Sequence, residues 1–301
     1  MTETLSAADC IDFGISAFNL TDYEKASQYF DEALSKNPDA HEAMNYKGLI
    51  NLQLGDYNKA IEWWKGSIET QENTPALSNL GFHLSKQERF QEAKPYLKRA
   101  YEIAPSERSC AVQWAYIELL EKNFDTAEKI LTGLIDSEVE GYPELINGNV
   151  YVMLAQVKTD QRDYDGAVET MEMLLHKIPD SLQAMHQLAK LYPLTKNYEA
   201  AGTCYKKVLE AMPDHLDIIK EYSTLLMEHI DAQASVDLIE DVLSRQNVPD
   251  WELYLLMALG YEKLKDHARA LDAYSKASAL NPSDQRLKNN ILLIQHAMSK
   301  G

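Results

Sequence analysis

Residues 7–40 read AADCIDFGISAFNLTDYEKASQYFDEALSKNPDA, and residues 251–284 read WELYLLMALGYEKLKDHARALDAYSKASALNPSD. The two segments share one layout. The first carries Phe13-Gly14, Asp22-Tyr23, Ala26, Phe30, Ala33 and Pro38; the second carries Ala258, Tyr261, Ala270, Tyr274, Ala277 and Pro282. Between them the layout recurs. Gly14, Gly48, Gly81, Ala115, Ala155, Ala189, Ser223 and Ala258 form a ladder with steps of 34, 33, 34, 40, 34, 34 and 35 residues. A second ladder lies 12 residues after the first, at Ala26, Ala60, Ala93, Ala127, Ala167, Ala201, Ser235 and Ala270. Pro38, Pro105, Pro179, Pro213 and Pro282 close many of the units.

A fixed period of this length, carried by small residues, is the signature of a stacked helical array. It resembles the tetratricopeptide repeat family, whose unit is a pair of antiparallel helices, A then B. The resemblance covers residues 7–284 as eight units and implies an all-α, right-handed superhelical solenoid. Small residues of helices A and B stand where the helices cross, since only they let the backbones approach. Phe30, Trp64, Leu97, Leu131 and Tyr274 fill the space between units. Each closing proline ends helix B, because it disfavours the helical conformation in the residue before it. Gly55-Asp56-Tyr57, Arg162-Asp163-Tyr164 and Lys196-Asn197-Tyr198 read as turns between A and B. There Asp or Asn caps helix B and the tyrosine packs back on helix A. Asn19-Leu20-Thr21 also reads as a turn, and Ser6 with Asp9 as a capping box for the first helix.

The expected organisation is a tail at 1–6, repeats 1–4 at 7–136, an irregular insertion at 137–147, repeats 5–8 at 148–284, and a capping helix with its tail at 285–301. The capping helix is read from Leu287, Ile291, Ile294 and Met298, one apolar stripe, with Arg286, Lys288, Asn290 and Gln295 on the other side. Three features break the pattern. The step of 40 residues falls at the insertion. Repeat 7 has serine at both ladder positions and Asp231-Ala232-Gln233-Ala234 in place of the usual turn. Pro95 lies within helix B of repeat 3 and Pro193 late in helix A of repeat 6, where each is expected to kink or shorten its helix.

The bulk composition narrows the function. The chain has 301 residues and a formal net charge of -18, with 45% apolar residues, 12 Gly and 10 Pro. That mix favours folded helix over disorder or strand. The acidity argues against nucleic acid as partner; it reads first as a solubility feature and second as a docking surface for a basic partner. Cys10, Cys110 and Cys204 stand far apart and form no CxxC or Cys/His cluster, so neither metal nor disulfide is indicated, and a reducing, cytoplasmic location is expected. The N-terminal residues lack the basic and apolar regions of a signal peptide, and no apolar run suggests membrane insertion. No phosphate loop, HExxH, GxSxG or calcium loop occurs. The expected protein is a non-catalytic scaffold or adaptor without cofactor. Self-assembly into a homo-oligomer and control of a separate enzyme are the alternatives.

The family resemblance places partner contacts on the A helices, along the concave side. In the first half these positions are Ile11, Ile15, Asn45, Tyr46, Leu49, Asn79, Phe82, Gln113 and Tyr116. Amides there would hold a peptide backbone, and aromatics would add apolar area. Tyr46, Phe82 and Tyr116 have a second reading, as packing between adjacent A helices; Asn45 and Asn79 have one as solvated residues. In the second half the positions are Asn149, Gln156, His186, Gln187, Lys190 and Lys220, a locally basic strip suited to an acidic segment or a C-terminal carboxylate, unless its lysines are ordinary surface residues. Trp64 and Trp114 read as core and Trp63 as partly exposed. A family subset grips acidic chaperone tails with Lys, Asn and Arg; this chain has Ile11, Ile15, Tyr46, Pro75 and Asn79 there, and lacks the cations.

Overall fold

The structure is a computed structural model that describes residues 5–105, 107–138, 147–245 and 250–300. Among these residues the fold is entirely helical. The helix pairs are α1 (Ala7–Asn19) and α2 (Tyr23–Lys36), α3 (His41–Gln53) and α4 (Tyr57–Thr70), α5 (Thr74–Lys86) and α6 (Phe90–Ile103), and α7 (Arg108–Leu120) and α8 (Phe124–Asp136). A second series follows: α9 (Gly148–Asp160) and α10 (Tyr164–Lys177), α11 (Leu182–Leu191) and α12 (Tyr198–Ala211), α13 (Leu216–Leu225) and α14 (Ala232–Arg245), α15 (Trp251–Lys263) and α16 (His267–Leu280), with α17 (Gln285–Lys300) last. The chain divides into two compact units, Met1–Val139 and Glu140–Gly301. Residues 139–146 of the expected insertion lie outside the described residues.

The ladder glycines are explained by what faces them. A Cβ on Gly14 would stand 2.6 Å from Cε1 of Phe30, and one on Gly81 would stand 2.7 Å from Cγ of Leu97. Phe30, Trp64 and Leu97 are fully buried. Each presses on helix A of its own repeat and reaches towards the next; Phe30 also stacks on Tyr46 at a centroid distance of 5.3 Å. Trp64 donates from Nε1 to the Asn45 carbonyl at 3.2 Å. Trp63 is half-buried, with the Lys47 ammonium 5.0 Å above its ring. Trp114 is half-buried, not fully core, because its Nε1 turns to donate to Glu118 at 2.7 Å.

The turns follow one chemical rule. Thr21, Gly55, Glu88, Lys122, Arg162, Lys196 and Lys265 take left-handed backbone conformations, with φ from 59° to 79°. Each stands seven residues after its ladder residue. The next amide then bonds back across the helix end, as Asp22 N does to the Ala17 carbonyl at 3.0 Å. Asp22, Asp56, Asp163, Asn197 and Asp266 cap the following helix through their side chains, and Ser6 with Asp9 forms the capping box on α1. Two of the expected turn tyrosines depart from the expectation: Tyr57 and Tyr198 face forward, onto His83 and His229 of the next repeat, while Tyr23, at the first turn, packs on Phe18 of its own helix A.

Repeat 7 lacks the left-handed turn. Its equivalent residue, Ile230, does not take the left-handed conformation, yet the next amide still bonds back, Asp231 N to the Leu226 carbonyl at 2.8 Å. The backbone instead runs on from α13 into a π turn, Leu226–Ile230, before α14. The ladder serines are buried; Ser235 donates to the Ser223 carbonyl at 2.8 Å, and Ser223 Oγ has no partner. The two internal prolines differ. Pro193 ends α11 at Leu191 and starts a 3-10 turn, Tyr192–Thr195. Pro95 does not shorten α6, which runs 14 residues like α2 and α4. Gln91 and Pro95 are both exposed, so water reaches the Gln91 carbonyl that loses its helical partner.

In α17, Leu287 and Ile294 are buried and Ile291 is half-buried against α16. The stripe stops there. Met298 is exposed rather than packed, and Leu292 and Leu293 face solvent, so the outer side is less polar than expected; Asn290 is half-buried rather than on that side. All three cysteines are free thiols. No helix among the described residues is long and apolar enough to cross a membrane.

Candidate functional site

The two helix irregularities of the second unit bound one cavity. The 3-10 turn after α11 and the π turn after α13 both displace the backbone from a regular helical path. The opening measures about 470 Å³ and is lined by Ala189, Lys190, Pro193, Tyr205, Lys220, Glu221, Thr224, Leu225, Glu228 and His229. Ala189, Tyr205 and Leu225 are buried and make its floor, with Pro193 half-buried at the side.

Glu221 sits at its polar centre. Its carboxylate accepts from His186 Nε2 at 2.6 Å, pairs with Lys190 Nζ at 3.3 Å, and accepts from the Tyr205 hydroxyl at 3.4 Å. Burial alone would raise the Glu221 pKa; the His186 bond and the Lys190 charge outweigh it and hold the group below the usual carboxylate range. The Tyr205 hydroxyl is pushed the other way, upward, by its burial and then by the Glu221 charge. Lys220 pairs with Asp250 at 2.8 Å and with Glu252. Burial would lower its pKa, but these two carboxylates more than offset it. Asp250 is fixed in turn, because it caps α15 through the amides of Glu252 and Leu253. Glu228 lies in the π turn with His229 Nε2 at 3.7 Å as its only ion-pair partner among the described residues. The His229 ring stacks on Tyr198 with centroids 4.1 Å apart. Lys263 Nζ donates to the Met227 carbonyl at 3.0 Å, taking up one of the carbonyls at the helix end.

This geometry corrects the reading of a basic strip. Lys190 and Lys220 line the opening, but both are neutralised by carboxylates of the next helices, and His186 is bonded to Glu221. Asn149 and Gln156 are exposed, yet their amides are engaged, with Gln183 at 3.0 Å and Asp160 at 3.0 Å. Gln187 is half-buried. In the first unit, Asn45 is buried rather than solvated and accepts from Asn79 at 3.0 Å, while Gln113 donates to Ser85 at 2.6 Å. These amides tie successive A helices together, since polar groups this close to the core need partners. Tyr46 packs between Phe18 and Phe30, and Ile11, Ile15, Leu49 and Phe82 are half-buried against the cores. Tyr116 alone among the expected aromatics is exposed. Two further openings lie beside B helices, about 520 Å³ next to Trp63 and about 680 Å³ next to Trp114. Among the described residues no cluster of three His, Cys, Asp or Glu side chains is placed to hold a metal.

The pattern of the tetratricopeptide repeat matches residues 11–73 in one form and residues 74–107, 182–215 and 252–284 in another. These matches take in more than half of the chain, and it belongs to the tetratricopeptide repeat family. Such repeats form protein-interaction scaffolds in general. The chain is 22% identical over 252 residues to human tetratricopeptide repeat protein 21A, which covers 77% of this chain and 19% of that protein. It is 24% identical over 279 residues to a TPR repeat-containing protein of Methanocaldococcus jannaschii, covering 91% of this chain and 44% of the other. With human protein O-mannosyl-transferase TMTC3 it shares 22% identity over 92% of this chain and 30% of that enzyme. The chain therefore spans less than half the length of each of these relatives. Among solved structures, the C-terminal part of a TPR repeat-containing protein from Cytophaga hutchinsonii superposes with a TM-score of 0.58 at 15% identity, covering 93% of this chain and 98% of that one. PilF of Pseudomonas aeruginosa gives 0.54 at 17% identity, covering 74% and 97%. These likenesses concern the fold.

Proposed function

We propose that the chain is a non-catalytic scaffold that receives a segment of a partner protein across α11 and α13, with the cavity between them as the seat of one of its side chains. The observation that carries this reading is the coincidence of the cavity with the two breaks in an otherwise regular array. Local departures from a consistent pattern mark functional positions more often than chance. A buried apolar floor with a few fixed polar groups is also the usual make-up of a binding site. Because the polar groups are held by ion pairs and caps before any ligand arrives, little ordering is needed on binding. The three free cysteines, two of them buried, fit a reducing, cytoplasmic location.

The test fills the cavity. Thr224→Trp places an indole over Leu225 and Pro193 without altering a charge. Affinity capture with wild type and variant, read by mass spectrometry, is expected to lose a specific partner from the variant while far-UV circular dichroism stays the same. An unchanged set of partners would show that the cavity is not the seat.

A second reading has its own observation. Leu292, Leu293 and Met298 of α17 present exposed apolar surface. If two copies associate there, sedimentation velocity will show a concentration-dependent dimer that Leu293→Glu abolishes; a monomer at all concentrations removes this reading.

A further inference from the structure

Resting on the scaffold reading above, we infer that the α11–α13 cavity takes an arginine or lysine side chain from a basic segment of the partner. Its aliphatic stem lies on Pro193 and Leu225, and its cationic head meets Glu228.

The argument is one of charge that remains after internal pairing. The cavity lining offers two lysines and two glutamates. Lys190 is spent on Glu221, and Lys220 on Asp250 and Glu252. The set of these six groups is therefore net negative, by four carboxylates to two ammonium groups. Glu221 is satisfied from three sides by His186, Lys190 and Tyr205. Glu228 is the acidic group left over, since no lysine or arginine among the described residues pairs with it. An incoming carboxylate would meet Glu221 and Glu228, and both ammonium groups of the lining are already paired; Lys263, outside the lining, is held on the Met227 and Glu228 carbonyls. An incoming cation meets an unneutralised carboxylate at the rim of an apolar floor, and lysine and arginine side chains bury their stems on such surface while the head stays polar. The chain's formal charge of -18 also attracts a basic segment from a distance. The position of Glu228 is set by the π turn; the same irregularity that bounds the cavity carries the carboxylate to its edge.

The test uses the whole chain and fluorescein-labelled alanine peptides of one length, carrying arginine, glutamate or leucine at alternate positions, read by fluorescence anisotropy at physiological salt. The arginine peptide is expected to bind, to lose about five-fold in affinity to Glu228→Gln, and to lose binding to Thr224→Trp. Glu169→Gln, which removes an equal charge from the exposed face of α10, is expected to change affinity less than two-fold. Equal losses with Glu228→Gln and Glu169→Gln would mean that only the general acidity is felt, and would overturn the inference. If the glutamate or leucine peptide binds and is displaced by Thr224→Trp while the arginine peptide is not, the scaffold reading of the cavity survives and the basic ligand does not. If Thr224→Trp affects none of the peptides, both fall together.

Discussion

Replacing Gly48 by alanine tests why the first ladder holds glycine at all. A Cβ there would stand 2.6 Å from Cδ1 and 2.8 Å from Cε2 of Trp64. Carbon atoms pack at about 3.5–4 Å, so the indole must retreat. It has nowhere to go, being fully buried, and moving it stretches its 3.2 Å bond to the Asn45 carbonyl. Overpacking of this kind costs about 1–3 kcal/mol and the weakened hydrogen bond about 1 kcal/mol. Alanine returns about 1 kcal/mol of helix propensity. The net expectation is a loss of about 1–3 kcal/mol. Gly133, in the same unit, is the internal control. A Cβ there meets nothing within 4 Å, so Gly133→Ala is expected to gain about 0.5–1 kcal/mol. Urea denaturation followed by circular dichroism at the helix band reads both. A Trp64→Ala background supplies the decisive arm, since Gly48→Ala should turn stabilising once the indole is gone. If Gly48→Ala is as stable as wild type, or remains destabilising without Trp64, the close approach of α3 and α4 is not what requires glycine.

Other expectations follow from buried polar groups. Ser223 Oγ is buried without a partner, so Ser223→Ala, which restores the commoner ladder residue, should raise stability by about 1 kcal/mol in thermal denaturation. Glu118 is buried and receives Lys94 at 2.7 Å and Asn123 at 2.7 Å in addition to Trp114. Lys94→Met should therefore cost about 2–4 kcal/mol, less than a fully enclosed pair because Lys94 reaches solvent. The same site sets an acid limb. Burial would raise the Glu118 pKa, but Lys94, Asn123 and Trp114 hold it below the ordinary value of 4.5. Its stabilisation is thus complete above about pH 4.5 and fades as pH falls through the lower folded value; urea midpoints measured between pH 5 and pH 3 should drop less steeply in Lys94→Met.

Much of the architecture is legible in the residues because small side chains at helix crossings leave a periodic trace. The two ladders locate all eight helix pairs, and Ser6, Asp56, Asp163 and Asn197 announce their caps. Pro193 and the irregular seventh unit were visible as breaks, and the cavity lies between them. What the pattern hides is which neighbour uses a side chain. Asn45 and Asn79 occupy groove offsets, yet each satisfies the other. Lys190 and Lys220 look basic in sequence, but their carboxylates come from residues 31, 30 and 32 positions further along. The repeat pattern gives weight to small and aromatic positions, so it marks none of Glu221, Glu228 and His229, and Tyr205 reads there as ordinary packing. Met298 misled because helical spacing continues past the point where the last pair of helices ends.

The non-glycine residues at the left-handed turns carry a further consequence. Thr21, Glu88, Lys122, Arg162, Lys196 and Lys265 each hold a conformation that costs an L-residue about 1–2 kcal/mol. In a stacked array each repeat's stability adds to that of its neighbours, so these turns act as graded ballast spread along the chain. Glycine introduced at any one of them would lighten that load by a single increment and leave every helix face as it is. The thermal tolerance of this protein is therefore adjustable in small steps, and the repeat that opens first under heat can be chosen.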